Sequence, residues 1–290
     1  MKSAIVTGAT GFIGTGLVDN LLKNGYDITV IVRNEYKSRS NIAVIKCDLA
    51  HAETLPEKIK KRGFDVFYHI AWEGSSGDDR MNKDLQAKNI GYSIKCANVA
   101  AELGCKRFVF PGSLTELSIV PDADGTMPAI GHYAVSKGYA ATATQLICST
   151  DKVEHLVGRL PSTYGKGCKG FIARSLEKML RNEDVEFNGG LTDFAHIDDV
   201  SEALRLIGEL GVSGTTYQIG SGSPGTTKSF MEEMKRITGS KSKIICSPST
   251  DRILLTEKDL SIDNLVKDTG YSPKVRFADG IKSISARANI

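Results

Sequence analysis

Two side chains four residues apart carry the clearest chemistry in this 290-residue chain: the phenol of Tyr133 and the ammonium of Lys137, in Tyr133-Ala134-Val135-Ser136-Lys137. On a helix that spacing puts both groups on one face, close enough to interact. A free phenol, with a pKa of about 10, cannot act as a base at neutral pH. A neighbouring ammonium favours the phenolate and moves it towards the range that general acid–base work requires. Alone, the pair reads better as an ordinary contact on a solvated helix.

A second pattern supplies the context. Thr7-Gly8-Ala9-Thr10-Gly11-Phe12-Ile13-Gly14 lies between an apolar run, Ala4–Thr7, and a helical pattern bearing Leu17, Val18, Leu21 and Leu22. Strand, glycine loop and helix in that order is the setting of a dinucleotide site. Gly8 permits the tight turn, Gly11 lets backbone approach a pyrophosphate, and Gly14 allows the helix to pack closely on the strand. The helix N-terminus offers free N–H groups and a positive dipole end to phosphates. Lys137 would then reach the ribose of a nicotinamide cofactor, which fixes its own position.

The spacing Gly8-x-x-Gly11-x-x-Gly14 resembles the TGxxGxxG motif of the extended short-chain dehydrogenases/reductases, the NAD-dependent epimerase/dehydratase family that modifies nucleotide sugars. Further stretches resemble that family in the right order. Asp48-Leu49 looks like its adenine-contacting Asp, His69-Ile70-Ala71 like its "HlAa" turn, and Asn89 like its mid-helix Asn. Tyr133 to Lys137 matches YxxxK, and Gly158 to Gly165 resembles "RxxNvYG". Asp193 to Val200 resembles "RDfihVdDv", and Tyr217 to Gly222 "yNiGsG".

The resemblance implies a third catalytic member after the fifth strand, where Ser113 stands. Its hydroxyl would hold the substrate oxygen to which Tyr133 gives, or from which it takes, a proton, while the nicotinamide carries the hydride. Cofactor contacts are implied at Gly8, Thr10, Gly11, Phe12, Ile13, Gly14, Ala71 and Pro161, besides Asp48, Leu49, Asn89, Tyr133 and Lys137. Substrate contacts are expected at Trp72, Ser113, Leu114, Thr163 and Arg252, and His132 stands beside the catalytic tyrosine.

Three departures narrow the reading. In the 4,6-dehydratases an Asp-Glu pair follows the position of Ser113; here Leu114 and Thr115 follow, with Glu116 one place too far and pointing elsewhere. Dehydratase chemistry is therefore not expected. NAD-preferring members end their second strand on an acidic residue, whereas this chain has Arg33, with Glu35 late and Lys37 and Arg39 nearby. An arginine suits a 2′-phosphate, so NADP is the expected cofactor, with NAD as the alternative. Thr192 occupies the place of the family's diphosphate-gripping Arg, leaving Arg252, Arg174 or Lys178 as substitutes.

The elements that must position these groups alternate in the first half of the chain. Strands are predicted at Ile28–Val32, Val44–Cys47, Val66–Ile70, Phe108–Phe110 and Leu156–Leu160, with helices around 53–62, 83–103 and 133–150. Gly25 and Gly104 end helices in the left-handed position. The fold class that follows is α/β, a Rossmann-type doubly wound parallel sheet of about seven strands. Past Pro161 a Gly/Lys-rich loop leads to helices near 172–181 and Asp198–Leu210 and a strand at Tyr217–Ile219, then short helices among loops. Residues 1–160 with about 193–220 form the dinucleotide-binding domain. About 161–192 with 221–290 form a substrate-binding region over the carboxyl ends of the sheet.

Bulk properties exclude other classes. With 37 basic against 34 acidic residues there is no nucleic-acid footprint, and the Lys-Ile-Lys-Lys-Arg run at 58–62 reads as a solvated helix end. Six cysteines show no metal-ligand spacing and fit a reducing, cytoplasmic setting. His196 with Asp198-Asp199 is not read as a metal site, because Asp198 reads as a helix N-cap. No signal peptide and no membrane span is expected. The expectation is an NADP-dependent reductase of a keto-sugar, a nucleoside-diphosphate 4-keto-6-deoxy sugar. The helices of 83–103 and 133–150 pair into a homodimer in similar proteins. A nucleotide-sugar epimerase with retained NAD is the near alternative, and a cofactor-sensing regulator the distant one.

Overall fold

The first strand, β1 (Ser3–Thr7), is buried along its whole length, as a strand must be when helices cover both faces of its sheet. The structure is a computed structural model that describes residues 1–37, 39–118, 125, 131–247 and 255–286. After β1 come α1 (Phe12–Lys23), β2 (Asp27–Val32), β3 (Ile42–Lys46), a 3-10 turn over Leu49–Thr54, the single-turn α2 (Leu55–Lys58) and β4 (Val66–His69). A second 3-10 turn (Gly77–Met81) precedes α3 (Lys83–Glu102), followed by β5 (Arg107–Ser113), α4 (Gly131–Thr150) and β6 (Glu154–Leu160). The remainder comprises β7 (Ser162–Tyr164), α5 (Phe171–Leu180), β8 (Val185–Asn188), β9 (Leu191–Thr192), β10 (Phe194–His196), α6 (Ile197–Leu210) and β11 (Thr216–Gln218). It ends with β12 (Gly225–Thr226), α7 (Thr227–Thr238), β13 (Ile244–Ser247), α8 (Glu257–Leu260), α9 (Asp263–Thr269) and α10 (Phe277–Ser285).

The main sheet has the strand order β3-β2-β1-β4-β5-β6-β11, all parallel. Strand addition changes direction between β1 and β4, which opens a crevice at their carboxyl ends. On one face α1 and α6 bury Leu17, Val18 and Leu21 against Leu204 and Ile207. On the other, α3 and α4 pack small residues, Cys96, Ala97, Ala100 and Ala140, against Phe67 and Phe108. Each fully buried leucine or phenylalanine contributes about 2 kcal/mol of transfer free energy. A third cluster joins Ile172, Leu176 and Met179 of α5 to Phe187, Phe194, Phe230 and Phe277.

The sequence-predicted seven-stranded Rossmann-type sheet is present, and the long helices fall where their ends are marked. Asn82 caps α3 by accepting from the Leu85 N–H at 3.1 Å, and Gly104 closes it with φ +67°. The helix predicted over 53–62 is not formed as such: the chain leaves helical geometry at Ile59. Ile59 is buried, and Arg62 donates to the Pro56 carbonyl at 2.8 Å, so the basic run folds back under α2 instead of extending it. Strand β5 is longer than predicted, its pairing with β6 running on to Ser113 opposite Leu160. Asp198 does not cap α6. The cap is His196, whose Nδ1 accepts from the Asp198 N–H at 3.3 Å. Two carboxylates of the same stretch anchor the C-terminal segment: Asp193 accepts from the Ser221 N–H, and Asp199 from the N–H groups of Lys274 and Val275.

Candidate functional site

At the β1/β4 crevice the backbone is packed so closely that side chains have no place. A Cβ on Gly8 would stand 2.6 Å from the Ala71 nitrogen, at a left-handed φ of +70° that other residues avoid. One on Gly14 would overlap the Gly8 carbonyl outright. Gly11 precedes α1 without any side-chain cap, so the first-turn N–H groups face outward. That cradle fits the diphosphate of a dinucleotide.

A cavity of about 680 Å³ extends from it. Gly8, Thr10, Gly11, Phe12, Ile13 and Gly14 line one part; Arg33, Asp48 and Leu49 come from the ends of β2 and β3. Ala71, Asn89, Tyr133 and Lys137 also line it, together with Trp72, which was expected on the substrate side. A larger cavity of about 1360 Å³ is lined by Ser113, Leu114, Thr163 and Pro161, the last expected beside the cofactor. Tyr133 lines both cavities. Arg174 and Thr192 line the larger one, as do Lys166 and Lys169, while Lys178 and His132 are exposed and line neither. Arg252 lies outside the described residues.

Several of these side chains have partners that define their use. Arg33 pairs with Glu73. Glu35, 95% exposed, pairs with Lys46 and does not line the cavity. Asp48 caps the 3-10 turn by accepting from the Ala50 N–H at 2.9 Å. Asn89 accepts from the Glu73 N–H and donates to the Glu73 carbonyl, both at 2.9 Å, so it clamps the segment after β4. Below it, Ser93 donates to the Asn89 carbonyl and therefore accepts from Nε2 of buried His69 at 3.0 Å. Nδ1 of His69 then accepts from Thr7 at 3.0 Å, whose hydroxyl oxygen accepts the Ala71 N–H. The ring is neutral in this network, and burial pushes its pKa down to about 3.

The structure brings Ser113, Tyr133 and Lys137 together. Tyr133 is buried, edge-on to Trp72 at 6.1 Å, and the Arg80 guanidinium lies 4.9 Å over its ring. Burial raises the phenol above its ordinary pKa; Arg80 and the hydrogen bond with Ser113 oppose that rise. The expected lowering by Lys137 is not what the geometry gives. Its ammonium donates to the Pro111 carbonyl at 2.8 Å and packs over the Trp72 and Phe110 rings, 4.0 and 5.0 Å from their centroids. Burial pushes Lys137 down to about 7, and the charge of Glu116 works against that fall. The Ser113 hydroxyl oxygen receives the Thr115 N–H at 3.3 Å and lies 2.8 Å from the Thr115 hydroxyl.

Sequence reasoning missed Arg80 and Gln86. The loop after β4 shows only as a polar stretch, with nothing local to say which side chain turns inward. Gln86 organises it, accepting from the Trp72 indole and donating to the carbonyls of Gly74 and Asp79, each at 2.9 Å. Among the described residues no cluster of His, Cys, Asp or Glu is placed to hold a metal, and no helix is long and apolar enough to cross a membrane.

Residues 4–220 match the NAD dependent epimerase/dehydratase family. CDP-abequose synthase of Salmonella typhimurium is 24% identical, over 98% of this chain and 97% of that protein. The UDP-glucose 4-epimerase of Thermotoga maritima, solved with UDP-glucose, has the same fold with a TM-score of 0.81 at 21% identity, covering 99% of this chain and 98% of that one. The UDP-glucose 4-epimerase of Thermus thermophilus, solved with NAD, gives 0.79 at 20% identity and covers 99% of each chain. With this match over most of its length, and the glycine cradle and Ser113–Tyr133–Lys137 set in place, the chain belongs to the NAD dependent epimerase/dehydratase family and is an NAD(P)-dependent enzyme of the extended short-chain dehydrogenase/reductase type.

Proposed function

We propose that this enzyme reduces a keto-sugar, a nucleoside-diphosphate 4-keto-6-deoxy sugar, with NADPH. The observation that carries the reading is the place of Tyr133, which lines both cavities, with Lys137 on the smaller and Ser113 on the larger. A nicotinamide dinucleotide, held by the glycine cradle in the smaller cavity, supplies the hydride when bound. Ser113 has one hydroxyl proton and two lone pairs, and one lone pair takes the Thr115 N–H. With the Thr115 hydroxyl, 2.8 Å away, donating to the second lone pair, the Ser113 proton is left for the substrate's carbonyl oxygen, and Tyr133 delivers its own proton to the same oxygen.

The larger cavity exceeds the size of an ordinary small-molecule pocket and accommodates a sugar with its nucleotide. Lys166, Lys169 and Arg174 line it and serve the diphosphate in place of the arginine that Thr192 replaces. The region of about 161–192 with 221–290 is the substrate-binding part, over a dinucleotide-binding domain of 1–160 with about 193–220. Arg33 on the smaller cavity, with Glu35 outside it, supports NADPH over NADH. On the outer face of α4, Val135, Tyr139 and Leu146 are 48, 61 and 70% exposed, an apolar stripe that supports a homodimer. Six free thiols support a reducing, cytoplasmic setting.

The second reading is a nucleotide-sugar epimerase with retained NAD, because the same three side chains serve oxidation and re-reduction of one carbon. Purified enzyme given a keto-sugar nucleotide, its C4 alcohol and the 4-epimer of that alcohol separates the two. A reductase consumes NADPH in proportion to product. Interconversion of the two alcohols without added cofactor replaces the reductase by the epimerase.

A further inference from the structure

One buried carboxylate at the site has no part in the chemistry above. Glu116, in the turn that follows β5, doubles back on the strand it has just left. Its side chain is 4% exposed. One oxygen accepts the backbone N–H of Ser113 at 2.6 Å, and the other accepts from Nε of Arg159, on the adjacent strand β6, at 3.1 Å. Gly112 makes the room: a Cβ there would stand 2.8 Å from the carboxylate and 3.0 Å from the Arg159 side chain. In the sheet register Gly112 lies opposite Arg159 and Ser113 opposite Leu160, so the pair closes the end of the β5–β6 ladder.

Burying a carboxylate is costly unless it is paired and hydrogen-bonded, and Glu116 is both. What it holds is the peptide of the residue whose hydroxyl faces the substrate. We infer that Glu116, braced by Arg159, is a positioning residue for Ser113, fixing the N–H of that residue and with it the direction of its Cα–Cβ bond. The bond acts on the hydroxyl together with the Thr115 N–H, which meets the same side chain from the other end of the turn. The carboxylate also faces the rest of the set, since its charge favours both the ammonium of Lys137 and the protonated phenol of Tyr133. Each of its oxygens is engaged, one by Ser113 and one by Arg159, and Glu116 lines neither cavity.

The inference rests on the reading of Ser113 as the substrate-facing hydroxyl, and Glu116→Gln and Glu116→Ala test it. Glutamine keeps an oxygen for the Ser113 N–H and gives up only the Arg159 bond; alanine keeps neither. Kinetics would use NADPH with the CDP-, UDP- and dTDP-linked 4-keto-6-deoxyglucose, and thermal melts would confirm folding. Glu116→Ala should lose kcat on the order of 100-fold, the scale of a misplaced reacting group, with the NADPH KM within about twofold. Glu116→Gln should recover most of that loss. The inference is overturned if Glu116→Ala keeps its kcat, if kcat and NADPH KM worsen in proportion, or if Glu116→Gln is as impaired as Glu116→Ala. Wild-type enzyme inactive on all three sugars would instead count against the proposed substrate. In that case, hydrogen exchange of the Ser113 amide still decides the inference. It should be slow in wild type and Glu116→Gln and fast in Glu116→Ala, and equal rates in all three overturn it.

Discussion

Burial acts in opposite senses on the two titrating groups of the site, holding the Tyr133 phenol protonated and drawing Lys137 towards neutrality. A protonated phenol is what a reduction needs, because the proton must be on Tyr133 before the ketone arrives. Tyr133→Phe removes it while keeping the ring against Trp72. Turnover should fall by on the order of 1000-fold, with NADPH affinity by fluorescence titration largely unchanged. Retained turnover would remove Tyr133 from the mechanism. Arg33→Ala addresses the cofactor. The loss of a charge-assisted bond to a 2′-phosphate should weaken NADPH about tenfold, or ~1.4 kcal/mol, and NADH much less. Equal losses for the two would leave Arg33 as a surface for adenine alone. At this scale the sequence was informative where function is compressed into one segment, as in Gly8–Gly14 and Tyr133–Lys137. It was silent on Arg80 and on the partners of Glu116. Their positions depend on a loop path set by Gln86 and on a vacancy left by Gly112 beside a different strand. Neither is a matter of local spacing.

Among the elements, the β1–α1 unit tolerates little change. Gly14→Ala inserts a methyl group into the Gly8 carbonyl, and α1 can escape only by moving off β1. Overpacking of that kind costs roughly 1–3 kcal/mol and should show as a lower thermal midpoint together with loss of NADPH binding. A variant that kept both would mean the helix can shift without disturbing the cradle. The elements legible beforehand are those with marked ends: α3 before Gly104, and α1 before Gly25. The segment 53–62 was not legible, because Ile59 is drawn into the core beneath it and Arg62 satisfies the Pro56 carbonyl. A tertiary demand there overrides a helical pattern. The anchoring of residues 271–275 by Asp199 and Gly220 was likewise invisible, since the partners are about 50 to 75 positions apart.

For the whole molecule, two histidines held neutral inside the fold contribute to its response to acid. His69 and His155 are buried, and burial pushes them down to about 3 and about 4 from 6.5. Between those values and 6.5 the unfolded chain binds more protons than the folded one. Their contribution to stability is therefore complete above about pH 6.5 and is lost as pH falls through that window. His69 alone should account for on the order of 3 kcal/mol by pH 4. Chemical denaturation at pH 7, 5.5 and 4 should show the fall, and His155→Gln should flatten it in part. A stability unchanged from pH 7 to 4 would contradict the neutral His69 network.

The chain has a single tryptophan, and the fold has put it on the wall of the smaller cavity. Trp72 touches Lys137, Tyr133 and Phe110, so its emission reports on this site and on no other part of the molecule. The protein thus contains its own optical gauge. Reduced nicotinamide absorbs in the range where indole emits, so binding NADPH should quench Trp72 and light the dinucleotide by energy transfer, whereas NADP⁺ should quench without that second signal. Occupancy and redox state of the bound cofactor can then be read separately, in unlabelled enzyme, while it turns over.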